Sequence, residues 1–272
     1  MITLIGDLGY DIRMLENRTA RFLGGSGFHT AVGVLAASSI PHLVATVGRD
    51  FDDEYLKKLS IPTTHIERKQ NSMTPCYIID YRSNVRRISF RNWPSPSIAI
   101  KEHMPELLFS DIVHITATLP QQQLRYIEYL KQNHYSGKIS VDVFDQHCAA
   151  YPIETLSVLS QSDIIFMNQD EKRLLQYSHY NPQKITVIKR ADQGADCFCQ
   201  SNSYHAEFHV DHVIDTIGAG DILAGAFLAF FDEQFELNEC LSKAVEIASC
   251  SVQFFGSELF GLDCIKKHSI II

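Results

Sequence analysis

The run "DTIGAGDILAGAFLAFF", Asp215 to Phe231, decides how this chain is read. Two glycines flank Ala219, Asp221 follows at once, and an apolar helical pattern begins behind them. A helix that opens here leaves its first-turn N–H groups without intrahelical partners and presents the positive end of its dipole. Gly218 and Gly220 let the backbone meet an anion with no side chain in the way. The turn therefore predicts a phosphate or oxyanion site. A carboxylate at Asp221 would repel such a ligand unless it has other work, and taking a proton from an attacking hydroxyl is such work. Turn glycines and an aspartate near a helix N-terminus also have a purely structural reading. That reading suffices for "GAG" alone, but not for the whole run with its apolar helix.

Around this run lies a chain of 272 residues, long enough for one large domain or two small ones. Hydrophobic residues make up 45% and charged residues 21%, which suits a globular protein with a substantial core. The formal charge of -8 argues against a general nucleic-acid binder, though a phosphorylated ligand needs only local positive charge. The seven cysteines form no pair of CxxC motifs. "CFC", Cys197 to Cys199, puts two thiols on one face of a strand as a candidate metal pair, but small buried hydrophobes in a reduced compartment are the simpler expectation. "MITLIGDLGYDIR" lacks the basic lead and long apolar core of a signal peptide, and no window reaches the roughly 18 apolar residues of a membrane span. The expectation is a soluble cytoplasmic protein with a small-molecule partner, neither nucleic acid nor membrane.

"ITLIG" (2–6), "HLVATVG" (42–48), "DIVHIT" (111–116), "KISVDVF" (138–144), "DIIFMN" (163–168) and "ITVIKR" (185–190) read as strands. Their continuous hydrophobicity suits a parallel sheet covered on both faces. Between them, "FHTAVGVLAA" (28–37) and "QQQLRYIEYLKQNH" (121–134) have helical spacing, so the class is α/β with a mostly parallel sheet. "SMTPCYIIDYRSNVRRISFRN" (72–92) breaks the rhythm: two strands around a polar turn at Ser83 and Asn84 predict an antiparallel hairpin. Such a hairpin serves as a lid, or as an edge through which a homodimer pairs. "NWPSPS" (92–97) marks the return, giving one domain over 1–272 with a small β lid.

"DTIGAGDILAGAF" resembles the C-terminal signature of the ribokinase-like, or PfkB carbohydrate kinase, family. "GGSGFHTAVGVLAA" (24–37) is similar to that family's double-glycine motif, "VGRDFDDEYLKKL" (47–59) to its Gly-x-Asp segment and "DIIFMNQDE" (163–171) to its Asn-x-x-Glu motif. "ISFRNWPSPS" and "FMNQDE" are similar to the family's archaeal nucleoside kinases. The resemblance implies a three-layer sandwich and an ATP-dependent kinase acting on the primary hydroxyl of a nucleoside or small sugar. It makes Asp221 the base, with the backbone from Ile217 through Gly218, Ala219 and Gly220 forming the anion hole. Glu171, with Asn168, would hold the magnesium of Mg-ATP through water, although the same pair also reads as a helix cap and its reciprocal partner. Asp11, Gly24, Gly25 and His29 would meet the acceptor. Asp215, Thr216 and Gly256 would lie against the nucleotide; Gly256 belongs to "SVQFFGSELFG" (251–261), which resembles the family segment lining the base and a potassium site.

Three departures bear on substrate. His29 stands where most members have an asparagine on the sugar, and an imidazole offers fewer simultaneous partners. In "VIKRADQGA" (187–195) Lys189 replaces a threonine and Ala191 a glycine, so either Lys189 and Arg190 rebuild triphosphate binding or it is weakened. "VDVFDQHC" (141–148) lacks the Asp-x-Asn-x-Arg pattern of the sugar-kinase branch, which leaves a nucleoside or plain pentose easier to accept. A catalytically silent sensor on the same fold is the alternative. A nicotinamide oxidoreductase fits worse, because "GDLG" (6–9) is not GxGxxG.

Overall fold

The computed structural model describes residues 1–14, 19–80, 82, 87–92, 106–177 and 181–269. In chain order the elements are β1 (Ile2–Ile5), β2 (Gly9–Met14), β3 (Thr19–Gly24), α1 (Ser26–Ala36), β4 (His42–Gly48), α2 (Glu54–Lys58), β5 (Ile66–Lys69), β6 (Cys76–Asp80) and β7 (Arg87–Arg91). Then follow β8 (Ile112–Ile115), α3 (Pro120–Gln132), β9 (Lys138–Asp142), α4 (Asp145–Ala150), α5 (Pro152–Ser160), β10 (Ile164–Asn168), α6 (Gln169–Leu174) and β11 (Ile185–Lys189). The chain closes with β12 (Ala195–Cys199), β13 (Asn202–Ala206), α7 (Ala219–Asp232), α8 (Leu237–Ser251) and α9 (Ser257–Ser269).

Nine strands form one sheet in the order β13-β12-β11-β10-β9-β8-β1-β4-β5, parallel from β11 to β5 and antiparallel at the β12 and β13 edge. Alternate residues of its strands feed two separate cores. In β10, Ile164 and Phe166 pack on the side of α1, α7 and α8, whereas Ile165 and Met167 pack on the side of α3 and α5. Burial on both faces explains why these strands carry no polar alternation. The layering is a three-layer α/β sandwich, as expected. Cys197 is buried in the first core, and among the described residues no cluster of three or more His, Cys, Asp or Glu could hold a metal ion.

Helices α1 and α7 meet backbone to backbone. A Cβ on Gly33 would lie 2.2 Å from the Ile222 carbonyl oxygen, and one on Gly225 would lie 2.0 Å from that of Thr30. Only glycine permits that approach, so the two helices that open onto the site are locked to each other.

The small sheet is larger than the predicted hairpin. β6 and β7 pair antiparallel as expected, with Ser83 and Asn84 of the predicted turn and all of 93–97 outside the described residues. Yet β2 and β3 extend the sheet to the order β3-β2-β6-β7, with β2 parallel to β6. Asp11 thus lies on a strand and is buried, not on a solvated turn. The periodicity misleads because β2 inverts the usual polarity: Asp11 and Arg13 are buried, while Ile12 and Met14 are only half-buried.

Candidate active site

The carboxyl ends of β1, β8, β9, β10 and β11 and the inner face of the small sheet enclose a cleft of about 580 Å³. In an open α/β sheet this is where ligands bind. Asp221, Gly218 to Gly220, Lys189, Asn168 and Glu171 line one part of it, and Asp7, Asp11, Gly25 and His29 another. Tyr77, Ile79, Ile88 and Phe90 of the small sheet form an apolar wall.

Helix α7 begins without a side-chain cap. Gly218 takes the N-cap position at φ 76°, in the left-handed region, and a Cβ there would come within 2.4 Å of the His29 ring. Among the described residues no hydrogen bond takes the N–H of Gly218 or Gly220, so both remain free to bind an anion. The Ile217 N–H does not: it donates to Asp215 Oδ1 at 3.1 Å, and the donor set is smaller than Ile217 to Gly220. Asp221 sits in the first turn, half-buried and facing the cleft. Burial, with a smaller push from Asp142, raises its pKa to about 6, while Lys189 and His29 pull the other way.

Lys189 reaches the cleft from the end of β11 and passes beneath Gly220, where a Cβ would meet its Cδ at 3.2 Å. Its ammonium donates to both oxygens of buried Asp142, at 2.9 and 2.6 Å. Burial opposes the lysine charge, but Asp142, Glu171 and Asp221 together overcome it and hold its pKa above that of a free lysine. Burial pushes Glu171 up to about 8, with Lys189 restraining the rise. Glu171 and Asn168 also exchange hydrogen bonds as a reciprocal cap on α6: the Asn168 N–H donates to Glu171 Oε2 at 2.6 Å, and the Glu171 N–H to Asn168 Oδ1 at 2.9 Å. Both the capping role and the cleft position are therefore present. The place of Glu171 on the cleft wall, beside room for a polyphosphate, suits a magnesium ion that keeps most of its waters, and such an ion would draw Glu171 into its ionised form.

At the other end, Asp11 Oδ2 lies 3.4 Å from His29 Nε2, and His29 Nδ1 shares a hydrogen bond of 2.8 Å with Ser257. Gly24 is absent from the cleft wall; a Cβ there would lie 2.0 Å from Asp11 Oδ1, so it makes room for that carboxylate. Tyr77 donates to Asp7 Oδ2 at 2.8 Å, tying the small sheet to the end of β1.

The model of the pfkB family of carbohydrate kinases matches residues 1–260. The chain belongs to that family. Like its other members, this pfkB-family protein is a phosphotransferase. A cytidine kinase of Thermococcus kodakarensis is 22% identical over 269 residues, covering 91% of this chain and 94% of that one. The solved nucleoside kinase of Methanocaldococcus jannaschii, an archaeal member of the ribokinase family, superposes with a TM-score of 0.82 at 22% identity over 98% of both chains. An uncharacterized sugar kinase of Pyrococcus horikoshii in complex with ATP gives 0.81 at 20% identity, over 95% of this chain and 94% of the other.

Several expected residues of this pfkB-family kinase stand elsewhere. Arg190 pairs with Asp196 at 3.0 Å and with Gln193, away from the cleft, because its side chain follows the β11–β12 turn. Asp215 is buried and also faces inward: Oδ1 accepts from Ile217, Oδ2 from the Gly256 N–H at 3.1 Å, and the carboxylate pairs with Arg13. Gly256, at φ 104°, lies against Phe22 and not on the cleft wall, whereas Thr216 is on it. Ala191 lines the cleft with a left-handed backbone at φ 51°, a conformation that favours glycine. Ala191→Gly should therefore raise stability by up to about 1 kcal/mol in urea denaturation, since alanine is strained at positive φ. A loss of stability would show that the alanine side chain packs usefully.

Sequence reasoning passed over Asp7, Arg13, Tyr77, Phe90 and the partnership of Asp142 with Lys189. Asp7 was within reach, since it follows β1 at the ligand-binding end of the sheet. Among the described residues no helix is long and apolar enough to cross a membrane.

Proposed function

We propose that this kinase transfers the γ-phosphoryl group of ATP to the primary hydroxyl of a nucleoside. The observation that carries the reading is the Asp221 carboxyl group, in the first turn of an uncapped helix, facing one cleft with Asp11 and the small sheet's apolar wall. Asp11 can accept two hydrogen bonds from a vicinal diol, which directs the remaining hydroxyl along the cleft toward Asp221. Asp221 takes that hydroxyl's proton, and the N–H groups of Gly218 and Gly220 receive the charge that develops on the transferring phosphoryl oxygens. Lys189, pinned by Asp142 beneath Gly220, adds a fixed positive charge there. Glu171 would hold Mg²⁺, which supplies charge neutralisation on the phosphates when bound.

A nucleoside is favoured over a free pentose by the wall. Tyr77 and Phe90 meet edge to face at 5.7 Å and, with Ile79 and Ile88, offer an apolar surface that a base can cover and a bare sugar leaves wet. The cytidine kinase and the nucleoside kinase above are named for such acceptors.

A coupled ADP-release panel of ribonucleosides, deoxyribonucleosides and pentoses tests the proposal. Turnover should be highest with a nucleoside. Preference for a free sugar would overturn the acceptor, and ligand binding without turnover on any acceptor would restore the sensor. The pH profile gives a second check. Asp221 works only when deprotonated, so kcat/KM should fall about tenfold per pH unit below about 6 and level off above it. A rate that stays flat down to pH 5 would remove Asp221 as the base.

A further inference from the structure

Arg13 heads the fully buried large side chains, at 0% exposure. A guanidinium taken wholly out of water is expensive unless it is paired. Here it is paired toward the anion hole. It lies on β2 two residues from Asp11, and its Nη2 is 3.5 Å from Asp11 Oδ2. Nη1 forms an ion pair with Asp215, and the guanidinium stacks over Phe22 at 4.8 Å and Phe255 at 5.1 Å. Asp215 in turn accepts the N–H groups of Ile217 and Gly256. One buried cation thus connects the acceptor carboxylate, the turn before α7 and the segment 251–261.

That segment is the one whose resemblance implies a potassium site, and its residues here do not fit one. An alkali ion needs converging oxygen atoms. The Asp215 carboxylate, which faces that segment, is taken by a guanidinium and two N–H donors, and the Phe255 ring lies against the same guanidinium. We propose that Arg13 is a built-in cation replacing a bound monovalent ion. It neutralises Asp215, so that this carboxylate can hold the anion-hole turn without repelling the phosphoryl group. Because β2 also carries Asp11, the charge is fixed when the sheet forms and is not recruited from solution. Arg13 is a positioning residue acting through Asp215. Its catalytic consequence rests on the phosphotransfer reading, but the occupancy of the site by an internal cation does not.

The test has two readouts. Melting temperature is measured for the wild type, Arg13→Ala and Arg13→Lys in potassium chloride, and in tetramethylammonium chloride of equal ionic strength, with and without millimolar guanidinium. The wild type should respond to neither ion. Arg13→Ala should melt higher with guanidinium or potassium, and Arg13→Lys should behave like the wild type. With the best acceptor of the panel, wild-type turnover should be the same in both salts. Arg13→Ala should lose about 10–100-fold in kcat, with partial rescue by guanidinium. Potassium raising the wild-type melting temperature or rate would overturn the proposal. So would a folded Arg13→Ala that keeps full rate in tetramethylammonium. If Arg13→Ala does not fold, the wild-type and Arg13→Lys arms still decide. If no acceptor turns over, the melting arms decide alone, and that failure belongs to the assigned reaction.

Discussion

Asp221→Asn lowers kcat by roughly 10²–10⁴-fold while leaving ATP affinity nearly unchanged, because it removes a proton acceptor but no hydrogen-bonding backbone. The same change should make the protein more stable. A carboxyl whose pKa is raised to about 6 on folding, from an unfolded value of 3.8, favours the folded state fully below the unfolded value. That contribution is lost as pH rises through about 6, so at neutral pH the ionised group opposes folding. Replacing it with a neutral amide should stabilise the protein by of order 1–3 kcal/mol at pH 7, and by nothing at pH 3. Kinetics and thermal melts at both pH values check this. A variant that is slow and also less stable at pH 7 would show that Asp221 supports the fold instead of serving as the base.

Gly218→Ala should cut kcat by a similar order, about 10²–10³-fold, for a different reason. The N-cap at φ 76° accepts an L side chain only with strain, and the new Cβ must displace the His29 ring from 2.4 Å. The two free N–H donors then lose their alignment, and the His29 contacts to Asp11 and Ser257 are disturbed together. Stability should fall by roughly 1–3 kcal/mol, opposite in sign to the effect at Asp221. Acceptor KM should rise as well, since His29 lies on that side of the cleft. Unchanged kcat in Gly218→Ala would place the phosphoryl group away from this turn.

What could be read from the residues follows from how each part of the fold is stabilised. The parallel strands are buried on both faces, and runs such as Ile164 to Met167 carry that fact in their composition. The run from Asp215 to Asp221 carries the helix opening, because glycines next to a carboxylate before an apolar stretch have few structural uses. β2 escaped because its buried side is charged: Asp11 and Arg13 face inward, and no periodicity rule expects that. Lys189 and Arg190 are adjacent in sequence, but Lys189 ends β11 and pairs with Asp142, whereas Arg190 is already in the turn and pairs with Asp196. Read as residues alone, both were candidates for the triphosphate, and only the turn geometry separates Lys189, which lines the cleft, from Arg190. Asp215 shows the limit most plainly: it stands in the same motif as Asp221, but its partners come from residues 13 and 256.

The close approach of Gly33 and Gly225 has a consequence for how such a kinase can diversify. The two helices pinned there carry His29 and Asp221 at their openings, so the spacing of the acceptor side from the base is set inside the rigid body of the protein. Tyr77, Ile79, Ile88 and Phe90 belong to strands outside it. Mutations in those strands can therefore retune which molecule is admitted without detuning the reaction, and a lineage can drift from one acceptor to another with its chemical machinery intact.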